Sequence, residues 1–316
     1  MPADEIALVA DIGGTNTRVG LARGPKLLPE TIRRFRNAEF ADFEAVVAAY
    51  REAEGDPACA AACVAIAGPV RDGAGTLTNL NWTVDGASVA RVERTAVLND
   101  LQAQGHALGR IAPENLREVI GGVPGTEQSA RLVIGVGTGF NTAPVYPTPG
   151  GGRVVPPAEA GHATLPARIE ADLRLLTFVS QNHGYPDIEE ALSGRGLENI
   201  YAWIASEAGK DARLPSAEII AGAEAGEALS RRTLEVFVRL LARVAGDLAL
   251  NAMPFGGVYV SGGMGRAMAP WFDQFGFADE FRAKGRFSGL MDQFPVFVIE
   301  DDYAALIGCA AFLDRS

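Results

Sequence analysis

The 316-residue chain is short of cysteine, histidine, positive charge and long apolar runs, and each shortage closes off a class of protein. Its three cysteines, Cys59, Cys63 and Cys309, are too few and too odd for a disulfide scaffold and suit buried thiols in a reducing cytoplasm. Cys59 and Cys63 stand four apart with only alanines between them, and no nearby histidine or third cysteine completes a metal site there. No uninterrupted apolar stretch reaches membrane-spanning length, and the first residues lack the basic-then-apolar layout of a secretion signal. Lys and Arg number 28 against 39 Asp and Glu, a formal charge of −11. Nucleic acid and anionic membranes both require clustered positive charge, so neither is expected as a partner. What remains, 48% hydrophobic and 21% charged, is the composition of an ordinary soluble α/β protein long enough for two lobes.

The most informative segment is Asp11-Ile-Gly-Gly-Thr-Asn-Thr-Arg18. It follows the apolar run Ile6–Ala10 and leads into another, Val19–Ala22, which makes a strand–turn–strand hairpin with paired glycines at the bend. Such a turn offers backbone N–H groups to a phosphate without a Cβ in the way, and glycine accepts positive φ there. Thr15 and Asn16 add neutral donors. Asp11 offers a carboxylate to a magnesium shell. A Walker loop or a dinucleotide fingerprint would need a helix at this point instead of a strand.

Two further buried strands end the same way. Arg131–Val136 runs into Gly137-Thr-Gly139, and Gly257–Val260 runs into Ser261-Gly-Gly263. Between them, Phe43, Val46, Val47 and Tyr50 mark an amphipathic helix, and Cys63–Gly68 and Thr95–Leu98 read as strands. Later, Ile169, Leu173 and Leu176 fall on one helical face, and Phe237, Leu240, Leu241, Val244 and Leu248 form the stripe of a long helix. A last strand, Pro295–Ile299, precedes an acidic turn and an apolar helix from Tyr303 to Leu313. Three glycine turns at strand ends are what two facing α/β lobes gripping one nucleotide require, since ligands of open α/β sheets sit at the carboxyl ends of the strands. The expected boundaries are a small lobe over 1–110, joined by a returning helix at 302–316, and a large lobe over 111–301.

Layout and wording resemble the actin-like ATPase superfamily, a two-lobed, ribonuclease H-like α/β fold with a central cleft, and within it the bacterial glucokinase family. Asp11–Asn16 resembles that family's first phosphate motif, Gly135-Val-Gly-Thr-Gly139 its second, and Gly256–Gly263 its adenosine motif. The sugar-site signatures follow in family order: Ala67-Gly-Pro69, Thr78-Asn-Leu-Asn-Trp82, Leu98-Asn-Asp100, Glu159-Ala-Gly-His162 and Glu189-Glu-Ala-Leu-Ser-Gly194. The ROK sugar kinases are a neighbouring group that usually carries a cysteine-rich zinc motif after the Glu-x-Gly-His element. Ala163 to Asn182 has no cysteine, so the chain resembles the non-zinc glucokinases. Where the family commonly has a glycine, this chain has Asn141, whose side chain could crowd a phosphate or a sugar hydroxyl or add a hydrogen bond.

The resemblance implies ATP-dependent phosphorylation of glucose at its 6-hydroxyl, giving glucose 6-phosphate and ADP for glycolysis, by a cytoplasmic homodimer. It makes Asp100 the catalytic base. On position alone, Asn99-Asp100 could equally cap the helix that begins at Leu101. Asn99, Glu159, His162 and Glu189 would bind the sugar, a mixture that pairs hydroxyls able both to donate and to accept. Glu189 is chosen over Glu190 by its spacing to Leu192-Ser-Gly194. Gly13, Gly14, Gly137, Thr138, Gly139, Gly262 and Gly263 would hold ATP together with Thr15 and Asn16, and Asp11 would hold Mg2+ through water. No lysine stands in any of the three turns, so phosphate charge must be met by magnesium and backbone N–H groups, and Arg18 either reaches a phosphate or pairs with an acid. The other readings are a kinase of mannose or an amino sugar, a catalytically weak sugar sensor, and a filament former. An intact Asp100 argues against the sensor, and the sugar-site elements argue against the filament.

Overall fold

The structure is a computed structural model that describes residues 4–77, 80–86, 89, 92, 94–123 and 125–314. Thr78 and Asn79 of the Thr78–Trp82 motif lie outside the described residues, as do the last two residues of the segment expected to form the returning helix. The chain divides into two compact units: Met1–Asn115 with Gly152–Pro157 and Asp301–Ser316, and Leu116–Gly151 with Ala158–Glu300.

The first unit is built on strands β1 (Ile6–Ile12), β2 (Asn16–Arg23), β3 (Lys26–Arg36), β4 (Ala61–Ile66), and, after three short strands β5 (Val70–Arg71), β6 (Ala74–Thr76) and β7 (Thr83–Asp85), β8 (Arg94–Asn99). The main sheet runs β3-β2-β1-β4-β8, and β5-β6-β7 form a small antiparallel sheet. β1 and β2 are the expected hairpin, while β4 runs parallel to both β1 and β8. All six residues of β4 are buried, as a parallel strand covered on both faces requires. Leu8, Ala10, Ile12, Val64 and Ile66 meet Phe43, Val46, Val47 and Tyr50 of helix α1 (Phe43–Ala53). Ala7, Val9, Cys63 and Ala65 meet helix α2 (Asp100–Ala107) and the helix Ala304–Leu313. These last two helices approach so closely that a Cβ at Gly308 would overlap the backbone carbonyl of Ala103. The register aligns Ile12 with Ile66 and Ile66 with Asn99, so the carboxyl ends of β1, β4 and β8 form one edge.

The second unit contributes β9 (Leu116–Ile120), β10 (Arg131–Val136), β11 (Phe140–Pro147), β12 (Val258–Ser261) and β13 (Val296–Ile299), in the spatial order β11-β10-β12-β13-β9. Helices α3 (Glu170–His183), α4 (Gly194–Glu207), α5 (Ser216–Glu224), α6 (Ala228–Ala252), α7 (Gly263–Met268) and α8 (Phe277–Arg282) accompany them. The stripe of α6 lies as expected, with Phe237, Leu240, Leu241 and Val244 buried and Leu248 packed beside them. Among the described residues no helix is long and apolar enough to cross a membrane.

The face expected for α3 is met only at Leu176, which packs against the core. Ile169 and Leu173 are exposed, and the buried residues are Asp172, Leu175 and Val179. Asp172 sets this orientation: its Oδ2 accepts from the N–H groups of Arg168 and Ile169 and from Arg243 Nη1 at 2.7 Å. Arg243 continues to Glu280 at 2.9 Å. A buried charge must be paired, and placing Asp172 against Arg243 on α6 turns Leu175 and Val179, three and seven residues on, into the core. The apolar residues at 169 and 173 are left outside.

Candidate active site

The common edge of the first unit brings together Asp11, the Gly13–Asn16 turn, Ala67-Gly-Pro69 and Asn99-Asp100. The turn is tight, with Gly13 N–H donating to the Asn16 carbonyl at 3.0 Å. Gly14 and Thr15 at its tip are exposed. A buried side chain braces it: Asn37 Nδ2 donates to the Gly13 carbonyl, Asn37 N–H donates to the Thr15 carbonyl, and Thr17 Oγ1 donates to Asn37 Oδ1. The positive φ expected of this turn is absent from Gly13 and Gly14 and occurs in the third turn, where Gly262 has φ 90°.

At the end of β8 the capping role falls to Asn99, whose Oδ1 accepts from Leu101 N–H while its own N–H donates to Gln102 Oε1. Asn99 Nδ2 donates to the Gly68 carbonyl at 3.2 Å, which ties the edge together. Asp100 is thereby the first helical residue, with Oδ1 accepting from Leu101 N–H at 3.0 Å. Burial, and next the charge of Asp11, push the Asp100 carboxyl up to about 7, against the opposing pull of nearby N–H groups. Asp11 is also raised, by burial first, and Arg18 partly offsets this from directly across the hairpin, Nη1 to Oδ2 at 3.3 Å. Arg18 therefore pairs with an acid, and that acid is Asp11.

The second unit gathers the remaining candidates. Gly137 N–H donates to the Gly139 carbonyl between β10 and β11, and Thr138 is exposed at the tip. Segment 189–194 grips this turn at both ends: Phe140 N–H donates to Glu189 Oε2 at 2.8 Å, and Gly194 N–H donates to the Gly137 carbonyl at 2.9 Å. Glu189 Oε2 lies where a Cβ on Gly139 would be, so a side chain at 139 would have to displace the Glu189 carboxylate. Arg195 Nη2 stands 3.4 Å from Glu189 Oε1, supplying a cation to that acid. Glu190 is engaged elsewhere, by Arg195 at 2.7 Å and Asn199 at 3.0 Å. The third turn reaches the second: Ser261 pairs with Gly135, and a Cβ on Gly262 would overlap the Val136 carbonyl.

Glu159 precedes a single 3-10 turn, Ala160–His162, that His162 ends, and both are exposed. Gly161 seats this turn against the Phe140 carbonyl, where no Cβ fits. His162 Nδ1 lies 3.3 Å from Asp187 Oδ2, and that hydrogen bond leads the causes that raise the imidazole above its ordinary value. Asn37, Asp187 and Arg195 were not singled out from sequence. None lies in a glycine motif, and no local spacing links Asn37 to a turn more than 20 residues upstream.

The comparisons with known proteins agree along the whole chain. The model of the glucokinase family matches residues 8–316. The chain belongs to the glucokinase family. The glucokinase of Marinobacter nauticus is 33% identical over 321 aligned residues, covering 100% of this chain and 99% of that protein. The crystal structure of a glucokinase from an Antarctic psychrotroph superposes with a TM-score of 0.89 at 31% identity and 99% coverage of both chains. A ROK family glucokinase from Streptomyces griseus, in complex with glucose and AMPPNP, has a TM-score of 0.64 at 18% identity, with 98% and 99% covered, and shares the fold. As a glucokinase-family member the chain is a sugar kinase with the actin-like ATPase fold.

Proposed function

We propose that this chain transfers the γ-phosphoryl group of ATP to the 6-hydroxyl of glucose, with Asp100 as the base. The observation that carries the reading is the Asp100 carboxyl: it sits at a strand's carboxyl end, fixed by the Asn99 cap, with a pKa pushed to about 7. A base does most when its pKa lies near the working pH. An ordinary surface cap would have no such shift. In this reading Asp100 accepts the hydroxyl proton as the oxygen bonds to phosphorus, while N–H groups of the Gly13–Asn16 and Gly137–Gly139 turns meet phosphate oxygens. Adenosine lies by Gly262-Gly263. Asn99, Glu159, His162 and Glu189 pair the remaining sugar hydroxyls.

Mg2+ enters as part of the nucleotide substrate. Among the described residues no three His, Cys, Asp or Glu groups cluster as a metal cage, and Asp11 already meets Arg18 through one oxygen. That donor set suits a hydrated cation touched through water at Asp11. The three unpaired thiols fit a reducing cytoplasm, and the homodimer implied by the family resemblance is checked by sedimentation.

Asp100→Asn keeps size and most hydrogen bonding but removes the proton acceptor. Glucose should still bind, by calorimetry, while turnover falls by roughly 10²–10⁴. Turnover within about threefold of the parent would reduce Asp100 to a helix residue. A coupled assay across hexoses and phosphoryl donors tests glucose and ATP against mannose, amino sugars, ADP and polyphosphate.

A further inference from the structure

Asn141 opens no obvious chemistry of its own, yet it makes four hydrogen bonds from one carboxamide. Nδ2 donates to the Ala158 carbonyl at 2.6 Å and to Glu159 Oε2 at 3.2 Å. Oδ1 accepts from Thr142 N–H at 2.7 Å and from Ala160 N–H at 3.1 Å. The amide thus holds the chain immediately before Glu159, the chain immediately after it, and the Glu159 carboxylate itself.

Asn141 stands on β11, paired in register with Gly135 and flanked by the buried Phe140 and Thr142. Glu159 stands on irregular chain with φ −131° and ψ 53°, and its side chain is exposed. An exposed glutamate on such a segment has several freely rotating bonds, and ordering them when a ligand arrives weakens binding. We propose that Asn141 is a positioning residue for sugar recognition, one that presets Glu159 for the sugar by fixing its backbone on both sides and one of its oxygens. The inference rests on the reading of Glu159 as a sugar-binding carboxylate. Asn141 acts through Glu159, so its loss weakens the capture of sugar and leaves the phosphoryl step intact once sugar is bound.

The test is steady-state kinetics of the full chain with glucose and ATP varied separately, on Asn141→Ala, Asn141→Asp, Glu159→Ala and the double variant Asn141→Ala/Glu159→Ala. Asn141→Ala should raise the glucose KM roughly 5- to 20-fold, with kcat and the ATP KM within about twofold of the parent. Asn141→Asp is nearly isosteric, so it guards against a folding artefact. It loses both donated bonds and sets a second carboxylate against Glu159, so its glucose KM should rise further. In the Glu159→Ala background the Asn141→Ala change should add less than about twofold, because the group it positions is gone. A glucose KM unchanged in both Asn141 variants overturns the inference, as does an equal rise with and without Glu159. If Glu159→Ala itself leaves the glucose KM unchanged, the sugar reading of Glu159 fails first and this inference fails with it.

Discussion

The turn between β1 and β2 and the turn between β10 and β11 share a plan: a buried strand, a glycine bend with a threonine at its exposed tip, and an antiparallel return strand. Their supports differ. The first is held by the neutral amide of Asn37, a buried residue about which no motif is written. The second is held by Glu189 and Gly194, both from a signature segment read as binding sugar. One turn is therefore a rigid fixture of its sheet. In the other, the expected nucleotide-binding turn and sugar-binding segment are hydrogen-bonded to each other, so a change in one bears on the other.

The strongest way to break this contrast is Gly139→Val. From sequence alone this change looks like a clean test, expected to weaken ATP binding and spare sugar. In the structure the new side chain meets the Glu189 carboxylate, so with Glu189 read as a sugar-binding group the change is expected to reach sugar binding as well. Overpacking of this kind costs about 1–3 kcal/mol, so calorimetry should show glucose and ATP affinities both falling, each by roughly 10- to 100-fold. Loss of ATP binding alone would show that Glu189 plays no part in holding sugar.

Asn37→Ala probes the other turn and should behave oppositely. It leaves the Gly13 carbonyl and the Thr17 hydroxyl without their buried partner, a cost of about 1–3 kcal/mol. The melting temperature should drop and the ATP KM should rise a few-fold, with the glucose KM unchanged. A matching rise in the glucose KM would erase the distinction between the two turns.

The smallest effect sharpens the contrast through pH. Glu189 has Arg195 beside it, whereas Asp100 has the like charge of Asp11. A base raised to about 7 is protonated and idle below that pH, so kcat/KM should climb as pH rises through about 7. Asp11→Asn removes the repelling charge and leaves Arg18 behind, and both changes favour ionised Asp100. The midpoint of the acidic limb should therefore move to lower pH, whatever happens to the absolute rate. A midpoint that stays put would assign the limb to another group.

Strands were legible wherever burial made an unbroken apolar run. Arg131–Val136 has the bounds expected, and β4 and β8 differ from expectation by a residue or two at their ends. The long helix α6 was legible because its stripe repeats over several turns. The buried face of helix α3 was not, since a hydrophobic pattern carries no sign that Asp172 will be drawn inward by an arginine 71 residues away. The same limit hid Asn37 and Asp187. Each is an ordinary polar residue whose importance lies in contacts to residues 20 or more positions away. Asn141 stood out as a departure from the family wording, but its partners at 158–160 could be found only in three dimensions.

The helix Ala304–Leu313 carries a consequence for how the chain is made. It covers the face of β1 and β4 that holds Ala7, Val9 and Cys63, and Cys309 Sγ reaches the Ala10 carbonyl. During synthesis α2 can cover part of that face early, but the rest of its cover follows β1 by nearly three hundred residues. The second unit is assembled almost entirely from consecutive chain, and it can close around its own core while the first sheet still waits. Contacts of such long sequence separation form late and slowly. The nascent chain thus carries a partly open apolar sheet for most of its translation, a natural target for holding chaperones, and the sheet that leads into Asp100 is sealed by a helix that follows the whole second unit.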